Sequence, residues 1–183
     1  MNIVNHLESV LGPIEEGWGL STQGPGFQVV RFPGHPFEGA STYATLGLSS
    51  NTLKMSGNRQ VRQELVFTAY DTYDKSLIAS FMLSFCEFIL SKNQALLRGD
   101  VIGPAGPIID GSATTAVYAS SPVIFPDTLS VFSGSTPETV IVWLVPLLDS
   151  EAAFVRVNGW SKFEVLLEQH DPDLTNLNRA SVI

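Results

Sequence analysis

Thr139-Val140-Ile141-Val142-Trp143-Leu144-Val145-Pro146-Leu147-Leu148-Asp149-Ser150-Glu151 is the stretch on which the fold turns. From Thr139 to Val145 it is continuously apolar and β-branched, so it leaves no polar face for water and reads as an interior strand covered on both sides. Pro146 lacks an amide hydrogen and is confined to the strand's end. Asp149 or Ser150 then caps a helix from about Glu151 to Val157, which Asn158-Gly159 stops.

An interior strand needs neighbours and covering layers, and the chain supplies both. Phe27 to Phe32 predicts a strand ended by Pro33-Gly34, and Tyr43 to Leu48 and Arg62 to Tyr70 predict two more. In the last of these Leu65, Phe67 and Ala69 alternate with Glu64, Val66 and Thr68. The covering layer comes from Asp74 to Lys92, where Asp74 reads as the N-cap and Ser76, Ser80, Ser84, Glu87 and Ser91 fall on one narrow polar face. The remaining broad apolar stripe, including Leu77, Phe81, Phe85 and Phe88, predicts a long helix packed across the sheet.

The ends carry short helices. Ile3, Val4, Leu7, Val10 and Leu11 recur at helical spacing before Gly12-Pro13, and a last helix opens on the capping box Ser161-Lys162-Phe163-Glu164 and stops before Pro172. Glu15 to Gly26, Ser49 to Asn58 and Gly99 to Ser121 read as loops. The expectation is an α+β fold: a central mixed, largely antiparallel sheet against one long apolar helix, in a single domain over residues 1–183.

Composition narrows function mostly by exclusion. The 183 residues are 44% hydrophobic and only 15% charged, with ten basic against eighteen acidic side chains and a net charge of −8. That charge opposes nucleic-acid phosphates and anionic lipid, and it favours a basic protein partner. Cys86 stands alone in an apolar run, so no disulfide within the chain is possible, and the N-terminal residues lack a basic region followed by an apolar core. A reducing cytoplasm is the expected setting. The stretch from Leu77 to Leu90 is too short and too interrupted to span a membrane.

Catalytic patterns are scarce. His6, His35 and His170 are scattered, and His170-Asp171-Pro172-Asp173 reads as a solvated turn rather than a metal site. There is no nucleophile elbow, Walker loop or Cys-x-x-Cys pair. Gly103-Pro104-Ala105-Gly106-Pro107 is a rigid turn, because its prolines remove the donors a phosphate would need. No cofactor and no metal are implied. The enzymatic alternative, a small-molecule-binding protein or hydrolase, would need Asp149, Glu151 and His170 to gather around one pocket.

Four ordered segments carry a resemblance. Tyr43 to Ser49 contains Thr-Leu-Gly-Leu-Ser, Arg98-Gly99-Asp100 follows the long helix, Val140 to Glu151 joins an apolar strand to a helix start containing glutamate, and Asn158-Gly159 precedes a leucine-rich helix and a closing Arg179-Ala180-Ser181. In this order, over about Trp18 to Ile183, they resemble the Suppressor of fused family. The resemblance implies an α+β protein that works by binding protein, not by catalysis.

In animal relatives a second, C-terminal domain helps close on a peptide of Hedgehog-pathway transcription factors. This chain matches the first domain, so the resemblance implies another role. Compact bacterial relatives are associated with polymorphic toxin systems as immunity proteins, which implies a domain that neutralises a toxin by direct binding, a basic toxin being the partner that the net charge favours. Gly99-Asp100 matches a pair in the animal partner-binding cleft, and Phe88 stands where the animal protein presents a tyrosine. Asp100, Gly99, Trp160 and Glu151 form the candidate partner-binding set, with Trp160 suited to anchor an interface.

Overall fold

The computed structural model describes residues 2–19 and 26–183. The elements run α1 (Ile3–Leu11), β1 (Glu16–Gly19), β2 (Gln28–Pro33), β3 (Ala40–Leu46), β4 (Leu53–Lys54), β5 (Gln60–Tyr70), α2 (Lys75–Lys92), β6 (Val101–Ile102), β7 (Ala116–Ser120), β8 (Val131–Phe132), β9 (Thr139–Leu147), α3 (Asp149–Asn158) and α4 (Trp160–His170). Among the described residues nine strands form one sheet in the order β1-β2-β3-β5-β9-β7-β6, with β4 added to β5 and β8 to β9. β5 and β9 pair in parallel, Leu65 opposite Val142, while the other pairings are antiparallel.

Side-chain alternation divides the interior into two layers. Leu65, Phe67 and Ala69 of β5, with Val142 and Leu144 of β9, pack in one cluster with Ile78, Met82, Phe85 and Ile89 of α2. Val66, Ile141, Trp143 and Val145 belong to the opposite cluster, with Leu7 and Leu11 of α1, Ala152 and Val155 of α3, and Phe163 of α4. The apolar run in β9 is thereby explained: its two sets of alternating side chains enter different cores.

α2 is capped by Asp74, whose carboxylate accepts from the amides of Ser76 at 2.8 Å and Leu77 at 3.2 Å. Its burial is narrower than the sequence predicts. Leu77 and Phe88 are exposed and Phe81 is only partly covered, because a straight helix on one sheet face can press only one side against it.

Other boundaries differ for identifiable reasons. The stretch read as a loop from Gly99 to Ser121 contains β6 and the wholly buried strand β7, whose hydrogen bonds to β9 override the surrounding glycines and prolines. The expected loop after Glu15 begins with β1, and its part over residues 20–25 lies outside the described residues. Asp149 and Ser150 lie inside α3; Leu148 is the cap residue, and its amide donates to Glu151 Oε2 at 3.1 Å. α4 starts at Trp160 after Gly159 without a side-chain cap, since Glu164 is engaged elsewhere. No helix among the described residues is long and apolar enough to cross a membrane.

Candidate functional site: the Arg98–Trp160 surface

Local geometry first brings Gly99 and Trp160 together. After α2, residues 97–100 make a tight turn in which the Asp100 amide donates to the Leu97 carbonyl at 2.9 Å and Asp100 Oδ2 accepts from the Leu97 amide at 2.7 Å. The turn is strapped to β7 by two 2.9 Å bonds, Gly99 N–H to the Ala119 carbonyl and Ala119 N–H to the Asp100 carbonyl. Gly99 takes φ +95°, and a Cβ there would lie 2.4 Å from Cδ1 of Trp160. Only glycine admits both the conformation and the indole.

Trp160 is the first residue of α4, and the next turn adds Glu164 on the same side. The Arg98 guanidinium lies over the indole, 4.9 Å from its centre, and holds Glu164 through two bonds, Nε to Oε1 at 3.0 Å and Nη2 to Oε2 at 2.5 Å. Tyr118 of β7 donates its hydroxyl to the same Oε1 at 2.7 Å. The Glu164 carboxylate raises the Arg98 pKa further, while burial first, and then Glu164, push the Tyr118 phenol upward. Both groups keep their protons at any physiological pH.

The outcome is a fixed surface feature. Trp160 remains 40% exposed although its ring is held on one side by Gly99 and on another by Arg98. Arg98, Glu164 and Tyr118 were not among the sequence candidates. The available signal was modest: Arg98 precedes Gly99, and Glu164 follows Trp160 by one helical turn.

Glu151 must be removed from the partner-binding set. It is fully buried, and its carboxylate accepts from the two terminal guanidinium nitrogens of Arg179 at 2.6 and 2.7 Å and from the amides of Val182 and Leu148, each at 3.1 Å. Arg179 is itself buried and donates to the Pro146 and Ala180 carbonyls. The pair ties the C-terminal segment to the start of α3, so Glu151 has no oxygen available to a partner.

Such bonds occupy the two carboxylates on which the enzymatic alternative depends. Glu151 is buried against Arg179, Asp149 accepts from the Thr115 hydroxyl, and His170 lines a cavity with Arg179 and Ser181 whose lining includes neither carboxylate. Cys86 is also buried, and burial drives its thiol pKa well upward, away from a reactive thiolate.

The turn formed by Thr45-Leu46-Gly47-Leu48-Ser49 wraps a second buried carboxylate. Glu64 Oε1 accepts from the amides of Gly47 at 2.9 Å and Ser49 at 3.0 Å and from the Ser49 hydroxyl at 2.6 Å, while Oε2 accepts from Thr45 Oγ1 at 2.5 Å. Gly47 has φ +102°, and a Cβ there would sit 2.7 Å from the Gly26 carbonyl oxygen. The motif therefore specifies a turn built around Glu64.

These features define an α+β domain whose framework is braced by two buried carboxylates and whose exposed tryptophan is held in place beside an arginine. The sequence profile of the Suppressor of fused protein (SUFU) family matches residues 23–180, and the chain belongs to this family. A Suppressor of fused homologue from Neisseria gonorrhoeae superposes with a TM-score of 0.81 at 15% identity, covering 99% of this chain and 94% of that one. The structure of a Sufu–Fu complex gives a TM-score of 0.71 at 16% identity, covering 98% of this chain and 89% of that one. Drosophila Suppressor of Fused gives 0.71 at 15% identity, with 98% of this chain matching 50% of that one. None of the curated proteins compared by sequence matches the chain.

Proposed function

We propose that this chain is a non-catalytic protein-binding domain, acting as a single unit over residues 1–183 in the cytoplasm, which neutralises a toxin by covering its active surface as immunity proteins do. The observation that carries the reading is Trp160: a large, exposed indole already ordered by Gly99 and Arg98. An anchor fixed before binding loses little conformational entropy when a partner closes over it. Asp100 follows Gly99 in the same turn, and its charge adds to the contact in this reading. The net charge of −8 favours rapid association with a basic partner. A family relative crystallised as a Sufu–Fu complex supports protein binding as the mode of action.

The test is capture of partners from the native host by the tagged chain, with Trp160→Ala as the paired bait. The expected result is a stoichiometric protein bearing a toxin-like domain, recovered by the native chain and depleted on the variant. Equal recovery by both baits removes Trp160 from the interface; a partner without toxic activity removes the immunity role.

A further inference from the structure

A groove of ≈ 250 Å³ runs beside α4, continuous with the Arg98–Trp160 surface. Tyr118, Val145, Leu167 and Leu174 contribute an apolar lining, and Val123, 69% exposed, stands on its rim. Helical spacing sets Trp160, Glu164 and Glu168 along this side of α4, and Asp171, the residue that caps its C-terminal end, lines the groove next to them. The two ends of the groove differ in charge balance. At one end Glu164 is neutralised by Arg98. At the other, Glu168 and Asp171 are exposed and pair with no cationic side chain among the described residues.

The last turn of α4 adds its own partial negative charge there, from carbonyls without helical partners. Arg98 shows how this surface takes a cation: a guanidinium over an aromatic ring and paired with a carboxylate from α4. The free end repeats those elements, with leucines in place of the indole.

We propose that this end of the groove receives an arginine or lysine side chain of the protein partner, its aliphatic stem on Leu167 and Leu174 and its charge between Glu168 and Asp171. Basic side chains suit such a site because the stem can be buried while the charged head stays at the wet rim. The acidic rim also accelerates encounter with a positively charged surface. This inference rests on the protein-binding reading and specifies one contact within it.

The test is selection of displayed random 12-residue peptides on the intact chain, followed by affinity measurements with the synthesised winners. The variants are Glu168→Lys/Asp171→Asn and the milder Glu168→Gln/Asp171→Asn; asparagine is chosen because Asp171 has φ +41°, which it tolerates. Thermal unfolding checks that both remain folded. The expected winners carry Arg or Lys beside an apolar residue, bind at least tenfold more weakly to the charge-reversed variant, and weaken as salt is raised. Winners without a basic residue, basic winners unaffected by the variants, or no enrichment would overturn the proposal. A native toxin partner that binds the charge-reversed variant normally removes the groove contact and leaves the protein-binding reading intact. Groove-dependent basic peptides without any native partner give the reverse result.

Discussion

Gly99 packs against the Trp160 ring so closely that a single added methyl group would collide with the indole. This contact joins the turn after α2 to the first residue of α4 and sets the exposed ring in position. Gly99→Ala therefore meets two penalties, a left-handed backbone and a displaced indole. The expected loss of stability is about 1–3 kcal/mol, read by urea unfolding, with the Trp160 fluorescence shifted toward that of a more hydrated ring. Trp160→Phe in the same background identifies which tryptophan moved. A variant with native stability and native emission would show that the turn relaxes without disturbing the surface.

Asp100 has a structural duty besides its proposed place in the interface, because Oδ2 accepts from the Leu97 amide. Asp100→Asn retains an acceptor and removes the charge, whereas Asp100→Ala removes both. The alanine variant should lose about 1 kcal/mol, the usual net value of such a bond, and the asparagine variant distinctly less. Binding to a captured partner should fall for both. If Asp100→Asn binds normally, the carboxylate serves the turn alone.

Glu151 and Arg179 form a buried pair whose halves are not equivalent. Arg179→Met leaves a buried carboxylate that still accepts from Leu148 and Val182, while Glu151→Met leaves a buried guanidinium and deprives both amides of their acceptor. Breaking a buried pair costs about 3–5 kcal/mol, and the Glu151 variant should be the less stable of the two. The double methionine variant should recover only part of the loss, since each unsatisfied amide costs about 1–3 kcal/mol. Chemical denaturation of all three variants checks the order.

The roles of Glu64 and Glu151 mark the limit of what the sequence makes legible. Long-period features are readable, including the buried strand at Thr139, the Asp74 cap and the α+β class, because each depends on nearby residues. β7 is not, since Ala116 to Ser120 is short, flanked by glycine and proline, and defined by pairing with β9. The segments that carry the family resemblance are recognisable, but their purpose depends on partners distant in sequence: Thr45, Gly47 and Ser49 serve Glu64, and Arg179 serves Glu151. Trp160 and Gly99 could be singled out individually, but their contact required the path of the chain between them.

Glu64 yields a pH prediction with a definite sign. Burial is the largest influence on its carboxyl and raises its pKa above the ordinary 4.5, against the opposing effect of bonds from Ser49, Thr45 and Gly47. The folded state therefore holds the proton more tightly than the unfolded chain. This contribution to stability is fully present below about pH 4.5, where both states are protonated. It declines as pH rises from that value through the folded-state pKa, because the unfolded chain ionises first. Glu64→Gln retains a carbonyl acceptor for Gly47 and Ser49 and cannot ionise. Its stability relative to the native chain should rise with pH above 4.5 and then level off, measured as the difference in urea midpoint at a series of pH values. A difference independent of pH would mean that the four donors offset burial and that Glu64 ionises alike in both states; a difference falling with pH would mean that they hold the folded carboxylate ionised.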